Sequence, residues 1–127
     1  MTDRPTLKSS GVVLDAPEPR ALADFYRRLL GWTVRPDSGD TWITLVPPGG
    51  GTTISFQYEP TYVRPSWPSD ADHQQMMLHL DIEVDDLVAG VDHALATGAT
   101  PAEFQPQDDV RVMLDPAGHP FCLWVRT

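Results

Sequence analysis

Cysteine is almost absent from this sequence of 127 residues, since Cys122 is the only one. A single thiol forms no internal disulfide and no multi-cysteine metal site, which fits a reducing compartment. Long hydrophobic runs are also missing: no stretch approaches the roughly 20 apolar residues that cross a bilayer. The N-terminal residues 1–8 lack the apolar middle section of a secretory signal. We therefore expect a cytoplasmic protein, with no membrane partner, whose fold rests on packing.

Basic residues are scarce as well. Nine lysines and arginines stand against eighteen aspartates and glutamates, which gives a net charge of −9. A surface of this sign repels phosphate backbones and anionic lipid, so nucleic acid is not an expected partner. The acidic residues are scattered along the chain instead of forming a tail. We interpret them as a solubilising surface.

Hydrophobic residues make up 41% of the chain, enough for one compact core, so we predict a single domain over residues 1–127. A β-branched run at 10–15 predicts a first strand. An apolar stripe at spacings of three and four predicts a helix over 20–30, and Gly31 is placed to end it. Turn-rich segments then separate three further predicted strands, at residues 32–35, 42–46 and 52–58.

The same order of elements then repeats. A proline-rich connection over 60–75 precedes a predicted strand at 76–84 and a helix at 87–97, which Asp86 would cap. Three more strands are predicted at residues 99–104, 109–114 and 120–125. We therefore predict an α+β fold of two tandem βαβββ modules, at about 9–59 and 76–126, which pair because neither can bury a sheet face alone.

Three segments carry a resemblance to a known family: residues 25–32 (Phe-Tyr-Arg-Arg-Leu-Leu-Gly-Trp), 79–87 (His-Leu-Asp-Ile-Glu-Val-Asp-Asp-Leu) and 115–123 (Asp-Pro-Ala-Gly-His-Pro-Phe-Cys-Leu). They resemble, in order, the signature stretches of the glyoxalase/bleomycin-resistance, or vicinal oxygen chelate, superfamily. The sub-group to which the chain is most similar is the glyoxalase-like domains of unassigned function. The resemblance implies this superfamily's fold, in which the two modules form a curved mixed sheet around a pocket, and a homodimer completed at open sheet edges.

Enzymes of this superfamily hold a divalent metal with side chains from the first, fourth, fifth and eighth strands. The resemblance places Gly11 (or, with a slip of one residue, Ser10), Ser55, His79 and Cys122 at these positions, with Gln57 as the nearest ligand-capable neighbour of Ser55. Of these, His79 alone matches the family pattern. We therefore predict no metal cofactor, while His79 and Cys122 remain an incomplete zinc pair. The alternatives are a core or pocket-lining role for His79 and a small buried hydrophobe at Cys122.

Aromatic residues favour a binding role instead. Trp42 and Tyr58 lie on predicted strands, and Trp67 lies in the proline-rich connection, where it would act as a lid. The predicted ligand-binding set is His79, Gln57, Trp42, Tyr58, Trp67 and Cys122. Of the other histidines, His119 is expected to cap or line the turn before the last strand, and His73 and His93 to be solvated.

Two functions follow as hypotheses. The first is a metal-free protein that sequesters or carries a small aromatic or hydrophobic molecule, as bleomycin-resistance proteins do. The second is an enzyme of the superfamily: a lyase, isomerase or dioxygenase with an atypical metal set at His79 and Cys122, or a metal-free catalyst with His79 as its base beside Gln57. Covalent catalysis has no supporting motif.

Overall fold

The computed structural model describes residues 4–126; residues 1–3 and 127, which the single-domain prediction includes, lie outside the described range. The first module consists of β1 (Gly11–Ala16), α1 (Pro19–Leu30), β2 (Thr33–Val34), β3 (Trp42–Val46) and β4 (Thr53–Tyr58). The second consists of β5 (Leu80–Glu83), α2 (Leu87–Thr97), β6 (Thr100–Pro101), β7 (Val110–Leu114) and β8 (Pro120–Trp124). The predicted βαβββ order is therefore confirmed twice.

Three predicted strands are shorter than expected. The strand predicted at 76–84 starts only at Leu80, because residues 76–78 border a cleft instead of joining the sheet. The strand predicted at 99–104 shrinks to β6, where Pro101 has no N–H to continue a ladder. The strand predicted at 32–35 shrinks to β2.

Each module has its own mixed sheet of four strands, in the orders β1-β4-β3-β2 and β5-β8-β7-β6. The first and last strands of each module, β1 with β4 and β5 with β8, run parallel, and the remaining pairs are antiparallel. Both β1 and β5 thus lie at the edge of their sheets. One curved mixed sheet was expected, and the structure has two mixed sheets of four strands each.

The core is shared by the two modules. Phe25 and Tyr26 of α1 are fully buried, and each ring centroid lies 6.0 Å from that of Phe121 on β8. Tyr26 also stacks on Phe56 of β4 at 5.5 Å. Helix α1 ends where predicted, at Gly31, whose φ of 72° lets its N–H reach the Arg27 carbonyl at 2.9 Å.

Helix α2 is capped by Asp86, whose carboxylate accepts the Ala89 N–H at 3.1 Å, as predicted. The helices touch where Arg28 donates to the Thr97 carbonyl. His93, expected to be solvated, is exposed but has its Nε2 only 3.0 Å from the Leu29 carbonyl oxygen, because α1 passes beside α2. Within residues 4–126, no helix has the length and apolar character to cross a membrane.

Candidate metal cluster and ligand cleft

One face of each sheet packs against the core, and the other face carries three of the predicted site residues: Trp42, Gln57 and Cys122. Because side chains alternate along a strand, Asp15 of β1 and Gln57 of β4 share the face opposite Phe56. The Gln57 amide donates to the Asp15 carboxylate at 2.6 Å. On the same face, Trp42 donates to the Thr44 hydroxyl at 3.1 Å. We call this side of each sheet the open face.

The first module offers little to a metal ion. Gly11 has no side chain, and the buried Ser55 hydroxyl is hydrogen-bonded to that of Thr44 at 2.7 Å. Gln57 is engaged by Asp15. Gly11, Ser55 and Gln57 therefore offer no side chain that is free to bind a metal ion.

The second module brings three ligand types together. Atoms of His79, Asp81 and Cys122 all lie within 4.8 Å of one another. Asp81 of β5 and Cys122 of β8 are register partners on parallel strands, and His79 lies two residues before Asp81, on the same side. The His79 Nε2 is 3.0 Å from the Asp81 Oδ1. Among the residues that the structure describes, these three form the only group of histidine, cysteine and acidic side chains that lie close enough together to hold a metal ion.

Sequence analysis missed Asp81, although the alternation His79-Leu80-Asp81 would have placed it beside His79 on one strand face. Cys122 is half-buried. Burial, and next the nearby Asp81 carboxylate, raise the pKa of the Cys122 thiol, so the neutral thiol is favoured when no cation is present. Imidazole, carboxylate and thiolate together match the donor preferences of zinc better than those of magnesium or manganese.

A cleft with a volume of about 380 Å³ lies between β1 and the proline-rich connection. Its apolar lining comes from Val13, Leu14, Val63, Pro65, Met76, Met77 and Leu78. Its polar lining comes from Asp15, Glu59, Thr61, Tyr62, Gln74, Gln75 and His119. We call this space the ligand cleft.

The polar side of the ligand cleft is fixed by Asp115. This buried carboxylate accepts hydrogen bonds from the Tyr26 hydroxyl at 2.7 Å and the His119 backbone N–H at 3.0 Å, and it lies 2.8 Å from the His119 Nδ1. The Tyr62 hydroxyl donates to the Ala117 carbonyl at 2.8 Å and lies 3.3 Å from the His119 Nε2. His119 thus lines the turn before β8, as the sequence predicted, and it also faces the cleft.

Both tyrosines of this network hold their protons firmly. Burial, and next the Asp115 carboxylate, raise the pKa of Tyr62 to about 12. The same two causes, with the direct hydrogen bond to Asp115, raise the pKa of Tyr26 well above its ordinary range. Tyr62 therefore presents a neutral hydroxyl to the cleft at physiological pH. Neither tyrosine is among the six residues of the predicted ligand-binding set.

The six predicted ligand-binding residues do not form one site. His79 and Cys122 meet in the cluster, and Gln57 and Trp42 lie on the open face of the first sheet. Tyr58 lies on the opposite face of β4, where it is 49% exposed. Trp67 donates its indole N–H to the Phe104 carbonyl at 3.1 Å. The lining of the ligand cleft includes none of the six.

A second cavity of about 310 Å³ lies beside α1. Arg20 and Arg27 line it, but each pairs with an acid, Asp40 at 2.6 Å and Asp24 at 2.7 Å. Opposite charges in the lining therefore balance, and the cavity has no strong preference for an anion.

Comparison with known proteins assigns the family. A family model described as a glyoxalase-like domain matches residues 11–124. This chain belongs to that family. No curated protein matches the glyoxalase-like chain significantly.

Solved structures with the same fold are numerous. A glyoxalase/bleomycin resistance protein/dioxygenase family enzyme from Burkholderia phytofirmans PsJN has a TM-score of 0.73 at 18% identity, covering 94% of this chain and 98% of that one. A glyoxalase/bleomycin resistance protein from Albidiferax ferrireducens T118 has a TM-score of 0.63 at 19% identity, covering 93% and 98%. A lactoylglutathione lyase from Agrobacterium tumefaciens has a TM-score of 0.62 at 14% identity, covering 96% of each. At such low sequence identities, the structural similarity establishes the fold of this glyoxalase-like protein and nothing further.

Proposed function

We propose that this glyoxalase-like protein binds a small aromatic or hydrophobic molecule in the ligand cleft, and that this binding needs no metal. The observation that carries the proposal is the cleft's lining, which combines apolar side chains with a short set of hydrogen-bonded polar groups. Its volume of about 380 Å³ falls within the range of roughly 300–1,000 Å³ that is typical of small-molecule sites. Sequestration or transport is the function that fits such a site.

The polar groups would fix the orientation of the ligand. Because Asp115 engages the Nδ1 of His119, the Nε2 is the ring atom that is directed toward Tyr62. The Tyr62 hydroxyl, whose proton goes to the Ala117 carbonyl, would therefore offer a ligand an acceptor oxygen beside the Nε2 of His119, while Val13 and Leu78 contact the apolar body of the ligand. Preorganised groups of this kind lower the entropy cost of binding.

We further propose that the protein acts in the cytoplasm as a homodimer. The lone Cys122 supports a reducing compartment. β1 and β5 are edge strands, and the neighbouring Met77 is 90% exposed. An open edge beside exposed apolar side chains favours pairing with a second copy. Analytical ultracentrifugation tests the dimer, which a single monomeric species across the concentration range would contradict.

Cleft binding is tested by titrating the protein with a panel of flat aromatic compounds while amide shifts are followed by NMR. We expect the largest shifts at cleft residues such as Val13 and His119. Leu78→Arg, which places a charge in the cleft, should abolish binding. Val88→Arg, on the 72% exposed position of α2, should leave binding unchanged.

Metal independence is tested in the same titration, which is repeated in EDTA and then with zinc. Equal affinity in both conditions supports the proposal. Loss of binding in EDTA, or ligand shifts that spare the cleft, would contradict it.

A metal-dependent lyase, isomerase or dioxygenase is the second candidate, carried by the convergence of His79, Asp81 and Cys122. When bound, a metal ion there would polarise a substrate oxygen or lower the pKa of a bound water. One structural neighbour is a lactoylglutathione lyase and another is an oxidase, so lactoylglutathione formation is the first assay. Turnover that is lost in His79→Ala would favour this candidate.

The metal-free catalyst with His79 as a base beside Gln57 has less support. His79 contacts Asp81, and Gln57 donates to Asp15 on the other sheet. The two side chains are therefore engaged separately.

A further inference from the structure

We propose that the second module alone forms a zinc site, with His79, Asp81 and Cys122 as its three protein ligands. This inference goes beyond cleft binding and does not depend on it. The superfamily pattern takes its ligands from both modules, and this chain disagrees with that pattern. Asp81, which stands outside the four pattern positions, supplies the ligand that the first module lacks.

The backbone brings the three side chains together. Asp81 and Cys122 are register partners on parallel strands, so their side chains leave the sheet on one side and next to each other. His79 lies two residues before Asp81, and its Nε2 already lies 3.0 Å from the Asp81 Oδ1. Neighbouring strands hold Asp81 and Cys122 in place, and His79 directly precedes β5.

The distances suit zinc. Zinc bonds of about 2.0–2.3 Å to N, O and S, arranged tetrahedrally, require ligand atoms about 3.3–3.8 Å apart. The three atoms lie within 4.8 Å of one another, so side-chain rotation by about 1 Å closes the set. A zinc ion would replace the existing contact between His79 and Asp81 and would satisfy both partners.

The remaining geometry favours an open site over a closed structural one. Three protein ligands leave the fourth tetrahedral position to water or to a ligand. His79 and Asp81 keep 39% and 63% of their side chains exposed, so an ion can enter from solvent. Ser55 and Gln57 are held by Thr44 and Asp15, so the first module adds no fourth ligand.

The test uses the full-length protein, purified without chelator or metal-affinity steps and then stripped of metal. Isothermal titration with zinc should give one ion per chain, with magnesium binding far more weakly. Cobalt(II) serves as a spectroscopic probe: we expect tetrahedral visible bands and a near-ultraviolet thiolate charge-transfer band. That band reports Cys122 directly, because the chain has no other cysteine.

Variants test two of the three ligands separately. Cys122→Ser should remove the charge-transfer band, and Asp81→Asn should weaken zinc binding by at least about tenfold. Asp85→Asn, a matched change just beyond β5, should leave zinc affinity within about twofold of the parent. Circular dichroism checks that each variant is folded.

A second measurement does not require variants. Zinc should protect the Cys122 thiol of the parent protein from alkylation, and magnesium should not. The proposal would be overturned by sub-stoichiometric zinc, by a cobalt spectrum without the thiolate band, or by unchanged affinity in Asp81→Asn. Failure of zinc binding leaves the NMR titration of the cleft unaffected, so the two proposals fail separately.

Discussion

The hydroxyl of Tyr26 donates a 2.7 Å hydrogen bond to the carboxylate of Asp115, 89 positions further along the chain. Both side chains are buried, one on α1 of the first module and the other in the turn before β8 of the second. The same carboxylate accepts the backbone N–H of Ala117 at 2.9 Å. One buried charge therefore joins the modules and shapes the turn that presents His119 to the cleft.

Tyr26→Phe tests this link. The ring contacts remain, but the buried Asp115 carboxylate loses a donor and keeps its desolvation cost. We expect the free energy of unfolding to fall by about 1–3 kcal/mol, measured by urea denaturation. Tyr58→Phe, at a half-exposed position, is the matched control and should change stability by less than about 0.5 kcal/mol. Equal effects of the two substitutions would refute a structural role for the Tyr26 hydroxyl.

Local patterns predicted most of the fold. The bounds of α2 and β3 agree with the predictions, because capping residues and apolar periodicity act within one turn or one strand. The doubled βαβββ order followed from the same signals. The start of β5 was wrong, since whether residues 76–78 join a sheet or line a cleft depends on β1, which lies far away in sequence.

The sites were harder to predict for the same reason. His79 and Cys122 were identified from the family pattern, and their convergence with Asp81 needs the parallel register of β5 and β8. Tyr62 contacts His119, which lies 57 positions further along the chain. This contact depends on how the proline-rich connection packs, and no short sequence motif predicts that packing. A short stretch of sequence identifies the residues that can bind a ligand, but which of them share a cavity depends on how the two modules pack.

Gly118→Ala tests the turn that carries His119. Gly118 has a φ of 92°, and an added Cβ would lie 2.6 Å from the Nε of Arg64. We expect a loss of about 1–3 kcal/mol in the free energy of unfolding, from backbone strain and from this clash. Gly39→Ala, where a Cβ would meet nothing within 4 Å, should be neutral.

Arg64→Ala separates the two causes of that loss. If the clash dominates, the Gly118→Ala cost should shrink in the Arg64→Ala background. If backbone strain dominates, the cost should be the same in both backgrounds. A neutral Gly118→Ala would show that the turn accepts a side chain and would contradict the prediction.

Trp67 is expected to anchor the proline-rich connection over the second module. Its N–H donates to the Phe104 carbonyl at 3.1 Å, and its ring centroid lies 6.3 Å from that of Phe104. Trp67→Ala should lower the free energy of local opening by about 1–2 kcal/mol. Native-state cleavage by thermolysin should therefore become about fivefold to thirtyfold faster.

Trp67→Phe keeps a ring and removes only the indole N–H, so its cleavage rate should lie between those of the parent and Trp67→Ala. Global unfolding in urea should change little in either variant, because the connection opens locally. Cleavage at the parent rate in both variants would show that this contact does not hold the connection.

The stability of the protein should fall at alkaline pH through Tyr62. Its pKa is about 12 in the folded state, against an ordinary 10.0, so the folded state keeps a proton that the unfolded chain releases. The contribution is therefore complete below pH 10.0 and is lost as pH rises to about 12. Urea denaturation at about pH 9 and about pH 11 measures the decline, which should be shallower in Tyr62→Phe.

Tyr26, whose pKa is also raised, leaves a residual slope in that variant. Parallel declines in the parent and Tyr62→Phe would show that the phenol of Tyr62 titrates alike in both states, and that the cleft does not shelter it.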